Sequence, residues 1–136
     1  MLAGDEFLRT KGGDSNSYES SYKVNELDYS LKVKHYDVFE KFQKLIAFKQ
    51  TCKALQYDEN QISLYKVSTI NGGATIQITF TVDGKNYKII HSNSAVKGKN
   101  YTADFAGYTL YLDTVGDGAL SANTPLLPYQ TIIAYK

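Results

Sequence analysis

Asp5 and Glu6 stand side by side near the start of the chain, and paired carboxyl groups are residue types that general acid–base chemistry uses. Their spacing argues against a joint role, because neighbours on an extended strand project to opposite faces and do not converge on one bond. A structural role is the expectation for both. His35 and His91 have no nucleophile constellation around them and read as structural or solvent-facing. Cys52 reads as a small buried or half-buried residue near the end of a helix. One cysteine and two histidines exclude a disulfide framework within one chain and leave too few soft ligands for a Cys/His zinc site. The stretch Asp113-Thr114-Val115-Gly116-Asp117-Gly118 has the composition of a calcium loop without its Asp-x-Asp-x-Asp-Gly spacing or closing Glu, and reads as a turn. Neither metal nor cofactor is expected.

The aromatic content is skewed: twelve Tyr and six Phe, with no Trp. Tyrosine suits strands and also lines sugar-contacting surfaces. Tyr101, Tyr108, Tyr111 and Tyr129 are candidates for such a surface. Tyr108 and Tyr111, three apart on one strand, fall on opposite faces, which weakens a single platform and favours packing between strands.

The chain has 136 residues, a formal net charge of +1 and 21% charged residues, a domain-sized and evenly balanced composition. It gives no support for binding a phosphate backbone, and the lysines of the second half are spread rather than striped, so no nucleic-acid partner is expected. No apolar run approaches the length of a membrane span. Met1 to Glu6 lack the basic region and apolar run of a signal peptide.

The elements that would position these residues differ between the two halves. Residues 10–35 are rich in Gly, Ser and Asn, keep no period of 2 or 3.6, and read as one long loop of the kind usually kept for a function. A helix is expected over Val38–Thr51, capped by Asp37. Phe39, Phe42, Leu45 and Ile46 lie on its apolar stripe and Glu40 faces Lys44 at i,i+4. The stripe is wider than one thin contact needs. From Gln61 the period becomes 2: Ile62 and Leu64 begin it, and Ile76, Ile78, Phe80 and Val82 share one face. Asp83-Gly84 marks a type I′ hairpin turn before Lys85–His91 runs back. Tyr108, Leu110 and Leu112 form a further strand, Ile132 and Ala134 the last, with loops at Ser92–Asn100 and Gly116–Thr124. Five to seven short strands and no second long helix imply a mainly β fold: an antiparallel, Greek-key-like β-sandwich over residues 61–136, preceded by a long loop and one helix in residues 1–60.

Three segments of the first part carry a family resemblance. Ala3-Gly4-Asp5-Glu6-Phe7-Leu8-Arg9-Thr10-Lys11, then Asn16-Ser17-Tyr18, then Val24-Asn25-Glu26-Leu27-Asp28-Tyr29 resemble the end of the catalytic barrel of pullulanases, in the α-amylase superfamily (glycoside hydrolase family 13). There the pattern is G-[DE]-E-F-x-R-[TS]-K, N-S-Y and N-x-[LI]-D-W; Tyr29 stands where tryptophan is usual. The run Tyr36–Lys49 resembles the barrel's last helix, and the remainder resembles the all-β domain that follows it.

The resemblance implies that residues 1–60 are the C-terminal remnant of a (β/α)8 barrel, comprising the end of strand eight, its loop and the last helix. It also accounts for the wide apolar stripe, which the rest of the barrel would cover. Retaining glycosidases need two carboxyl groups about 5–5.5 Å apart. In this superfamily the nucleophilic Asp, the acid Glu and a third Asp lie on barrel strands four, five and seven, upstream of everything matched. None maps onto this chain, which is expected to be inactive alone. Arg9, Asn16 and Tyr18 fall in the loop after strand eight, and two readings stand for them: a solvated loop that partners the rest of the barrel, or contact with an α-glucan in the intact enzyme, since Arg and Asn can hydrogen-bond hydroxyls and Tyr can stack on a pyranose. The implied partners are an α-glucan polysaccharide or oligosaccharide and the barrel itself, and the implied location of the parent is extracellular or at the cell surface. A free-standing carbohydrate-binding module is the alternative. Self-association through Phe39, Phe42 and Ile46 is expected if that face is uncovered.

Overall fold

A computed structural model describes residues 2–56, 65–94, 101–116 and 118–136. The chain forms two compact units, Met1–Ala47 and Phe48–Lys136. The strand start expected at Ile62 and Leu64, and most of the loop expected up to Asn100, lie outside the described residues.

The first unit is built of short turns. 3-10 turns at Asp5–Phe7, Lys11–Gly13 and Ser17–Glu19 lead to the helices α1 (Tyr22–Asn25) and α2 (Ser30–Lys34), and then to α3 (Tyr36–Thr51), whose last residues belong to the second unit. The segment 10–35 is therefore not a plain loop. Its polar residues bond the local backbone and start turns that they cannot extend. Thr10 Oγ1 accepts from the Gly12 amide at 3.2 Å, Asp14 from the Asn16 amide at 2.9 Å, and Asp28 from the Ser30 amide at 2.9 Å. Such bonding carries no hydrophobic period, so sequence pattern does not reveal it. α3 starts at Tyr36, ahead of the expected start. The amides of Val38 and Phe39 both bond to the His35 carbonyl at 3.1 Å, so Asp37 sits in the first turn instead of capping it. The Glu40–Lys44 pair forms at 3.5 Å, and Asp37 meets Lys41 at 3.9 Å.

The second unit is an antiparallel β-sandwich, as the change of period predicts. β1 (Lys66–Ile70), β2 (Thr75–Val82), β3 (Lys85–Ser92), β5 (Thr109–Asp113) and β7 (Thr131–Tyr135) form a five-stranded sheet in the order β1-β2-β3-β7-β5. β4 (Thr102–Ala103) and β6 (Thr124–Pro125) form a two-stranded one. Val82 pairs with Lys85 across Asp83-Gly84, and both turn residues have positive φ, 49° and 73°. This is the geometry that an Asp-Gly hairpin turn requires.

Each face of the large sheet carries its own core. On one, Phe80, Val82, Leu112 and Ile133 pack with Phe48 and Cys52 at the end of α3 and with Ala54. On the other, Ile90, Ile132 and Ala134 pack with Ala103, Phe105 and Leu126 around the small sheet. Leu112 joins the first core although period 2 puts it beside Leu110, which packs against the second. The register shifts between Leu110 and Leu112, which face Ala134 and Ile133. This bulge at Tyr111 turns Leu112 to the opposite side. The short strands β4 and β6, two residues each, fall below any length at which alternation could show.

Candidate functional site

Gly4 begins the loop that bears Arg9, Asn16 and Tyr18. Its φ is 98°, and a Cβ there would lie 2.7 Å from Arg9 Cδ and 2.9 Å from Arg9 Cβ. Only glycine fits both demands. The Gly4 carbonyl accepts from the amides of Phe7 and Arg9 at 3.1 and 3.0 Å, folding the chain back on itself. Asp5 and Glu6 therefore occupy a 3-10 turn, not a strand end. They still have separate tasks: Asp5 Oδ2 accepts from the Leu2 amide at 2.7 Å and Glu6 Oε2 from the Gly4 amide at 3.0 Å. Phe7 is buried and meets the Tyr29 ring at 5.7 Å, so Tyr29 supports the turn.

Arg9 is half-buried, and its fork is directed at backbone. Nη2 donates to the carbonyls of Val24 at 3.3 Å and Asn25 at 2.5 Å, while Nη1 donates to Ala3 at 3.3 Å. The guanidinium therefore joins the start of the segment to its far side, and a planar fork suits that bridging task better than a lysine point charge. Two residues that the sequence reading passed over complete the frame. Asn25 donates through Nδ2 to the carbonyls of Ser17 and Ser20 at 2.9 and 3.2 Å, and Lys11 donates to Ser17 Oγ and to Asn25 Oδ1. Asp14 accepts from the Ser20 hydroxyl, and this bond, with the Asn16 amide and Lys11, holds its carboxyl below the usual range. Asp28 is lowered likewise by Ser30. The signal that could have found Lys11 and Asn25 was present: both lie inside the quoted motifs.

Asn16 and Tyr18 are exposed, Tyr18 to 89%. A concavity of about 330 Å³ beside this frame is lined by Arg9, Lys11, Lys23, Glu26 and Asp28 among others, and neither Asn16 nor Tyr18 borders it. The structure thus joins Arg9 to the frame and leaves Asn16 and Tyr18 at its surface. Among the described residues no group of His, Cys, Asp and Glu is arranged to hold a metal ion, and no helix is long and apolar enough to cross a membrane. Asp113, from the stretch read as a turn, uses Oδ1 to accept from the amides of Val115 and Gly116 at 3.0 and 2.9 Å and both oxygens to accept from Gln130 Nε2 at 2.8 Å.

The second unit holds a larger concavity of about 620 Å³ on the β2–β3 face, bordered by Lys66, Gln77, Thr79, Lys88, Tyr108 and Lys136, with other residues of β2 and β3. Tyr108 packs against the second core and Tyr111 against the first, so the two rings do not share a face. Tyr101 is half-buried against the second core, and Tyr129 is 60% exposed. Cys52 is buried, which pushes its thiol up, and His91 Nδ1 bonds Thr131 Oγ1 at 2.9 Å within the sheet.

No family model matches the chain. It is 30% identical to the isoamylase of Pseudomonas amyloderamosa over 96 residues, which cover 68% of this chain and 12% of the relative. Among solved structures it resembles the trehalulose synthase of Pseudomonas mesoacidophila, with a TM-score of 0.58 and 17% identity, over 85% of this chain and 21% of that one. The isomaltulose synthase of a Klebsiella species gives a TM-score of 0.58 and 16% identity, over 85% and 20%. These two likenesses show the fold alone, and the chain spans about a fifth of each structure or less of the curated relative. The motif order in residues 3–49, the sandwich that follows and the isoamylase match agree: the chain belongs to the α-amylase superfamily, glycoside hydrolase family 13, and corresponds to its C-terminal region.

Proposed function

We propose that the chain is the non-catalytic C-terminal part of a glycoside hydrolase acting on α-glucans, of pullulanase type and directed at α-1,6 linkages. Residues 1–60 complete the catalytic barrel and support its substrate loop, and residues 61–136 form the all-β domain beside it. The parent acts outside the cell or at its surface. The observation that carries this reading is the frame around Arg9. One guanidinium and Asn25 hold a polar loop from within while Tyr18 stays 89% exposed. A loop organised in this way holds a ring ready for a sugar without ordering it afresh on binding. In the parent, Tyr18 stacks on a glucan and Asn16 bonds its hydroxyls, against catalytic carboxylates supplied by the barrel.

A free-standing sugar-binding module would need an aromatic surface of its own. Tyr108 and Tyr111 pack into opposite cores, which favours the supporting role. Titration of residues 1–136 with maltohexaose, followed by tyrosine fluorescence and amide NMR shifts, separates the two. The supporting role predicts no saturable response at millimolar sugar. Saturable binding would overturn it in favour of the module.

A further inference from the structure

The concavity on the β2–β3 face has a charge pattern that the supporting role does not use. Lys66, Lys88 and Lys136 border it, and no carboxylate side chain does. None of these three lysines belongs to a described ion pair. Two of their ammonium groups sit on one ring: Lys88 Nζ lies 4.6 Å and Lys136 Nζ 4.7 Å from the Tyr108 centroid. Lys88 is half-buried and is anchored by donating to the Asp104 carbonyl at 2.7 Å. The Asp104 carboxylate faces it electrostatically and also accepts from the Ala106 amide at 2.8 Å. Burial pulls the Lys88 ammonium below its usual range; the Asp104 carboxylate opposes this shift and the like charge of Lys136 adds a smaller push in the same direction as burial.

These features decide between two ligand classes. A ring that already carries two ammonium groups presents a cationic surface, not a bare face for a pyranose. An anion placed between Lys88 and Lys136 would relieve their mutual repulsion and add a counter-charge to that of Asp104, which acts on Lys88. The volume of about 620 Å³ is that of a small-molecule site, far larger than a bare oxyanion fills. Gln77 and Thr79 on its β2 side offer amide and hydroxyl groups for a hydroxyl-bearing body. We propose that this face of the sheet binds a phosphate monoester of sugar size, its phosphoryl group between Lys88 and Lys136 and its hydroxyls against Gln77 and Thr79. This site is separate from the loop around Arg9 and does not depend on its role.

Amide NMR titration of residues 1–136 at low ionic strength tests it, with glucose 6-phosphate, inorganic phosphate and glucose as probes. Glucose 6-phosphate is expected to give saturable shifts centred on Lys88, Tyr108 and Lys136, with half-saturation below about 1 mM. Inorganic phosphate should bind the same residues several-fold more weakly, and glucose should leave them unmoved. Lys136→Gln alters an exposed side chain and should weaken the ester about tenfold, and Lys88→Met by at least as much. Unchanged circular dichroism establishes that each variant is folded. The absence of saturable shifts, equal binding of glucose or of inorganic phosphate, or wild-type affinity in folded Lys136→Gln would each overturn the proposal.

Discussion

The Arg9 side chain lies against Gly4 and donates to the Asn25 carbonyl at 2.5 Å, so one residue ties the opening turn to the far end of the polar segment. Two substitutions separate the halves of this relationship. Gly4→Ala forces a side chain into positive φ and into Arg9, at a cost of about 1–3 kcal/mol. The Arg9 amide, bonded to the Gly4 carbonyl, should then exchange with solvent at least tenfold faster. Arg9→Lys keeps charge and length but loses the fork. Faster exchange is then expected near Val24 and Asn25, with the opening turn less affected. Equal protection in both variants would contradict the tie.

Asp14 gives the loop a dependence on pH. Its carboxyl is held down by the Ser20 hydroxyl, the Asn16 amide and Lys11, so the folded loop binds a proton less readily than the unfolded chain. The resulting stability is fully present above the unfolded pKa of about 4 and is lost as pH falls through the lower folded value. Carboxyl NMR titration should place Asp14 below a free aspartate. In Asp14→Asn the amide shifts of Asn16 and Ser20 should lose this acid transition.

Phe48 anchors the first core, buried, with its ring 5.7 Å from Tyr87 and 5.1 Å from Tyr111. Phe48→Ala should lower the unfolding free energy of the β unit by about 3–5 kcal/mol, as removal of a buried ring does. Urea unfolding followed by tyrosine fluorescence measures it. A loss below about 1 kcal/mol would mean that the end of α3 does not hold this face of the sheet.

At the hairpin, Gly84 has φ 73°. Gly84→Ala should cost about 1 kcal/mol, visible as a lower urea midpoint with an unchanged slope. The Thr81 hydroxyl, which donates to Asn86 Oδ1 at 2.6 Å, steadies the same hairpin.

Much of this structure is legible in the residues where period and turn chemistry are strong. The alternation through Phe80 and Val82, the Asp-Gly turn and the Glu40–Lys44 pair are each local and sit on regular elements. The bulge at Tyr111 is not local: it depends on how β5 meets β7, and alternation alone leaves Leu112 on the wrong face. The Arg9 frame was legible only as a string of motif residues. Its bonds join residues 15 and 16 positions apart, and side chains that bond backbone leave no period to read. The sequence presents Asp5 and Glu6 as strand neighbours, whereas the positive φ at Gly4 and Leu8 wraps them into a turn.

In its proposed role the chain supports a catalytic barrel without supplying its chemistry. Incubation of purified residues 1–136 with pullulan and with amylose, followed by assay of reducing ends, tests it most directly. Release no higher than from a boiled control is expected. Hydrolysis above that control, abolished in a folded variant that carries both Asp5→Asn and Glu6→Gln, would contradict it.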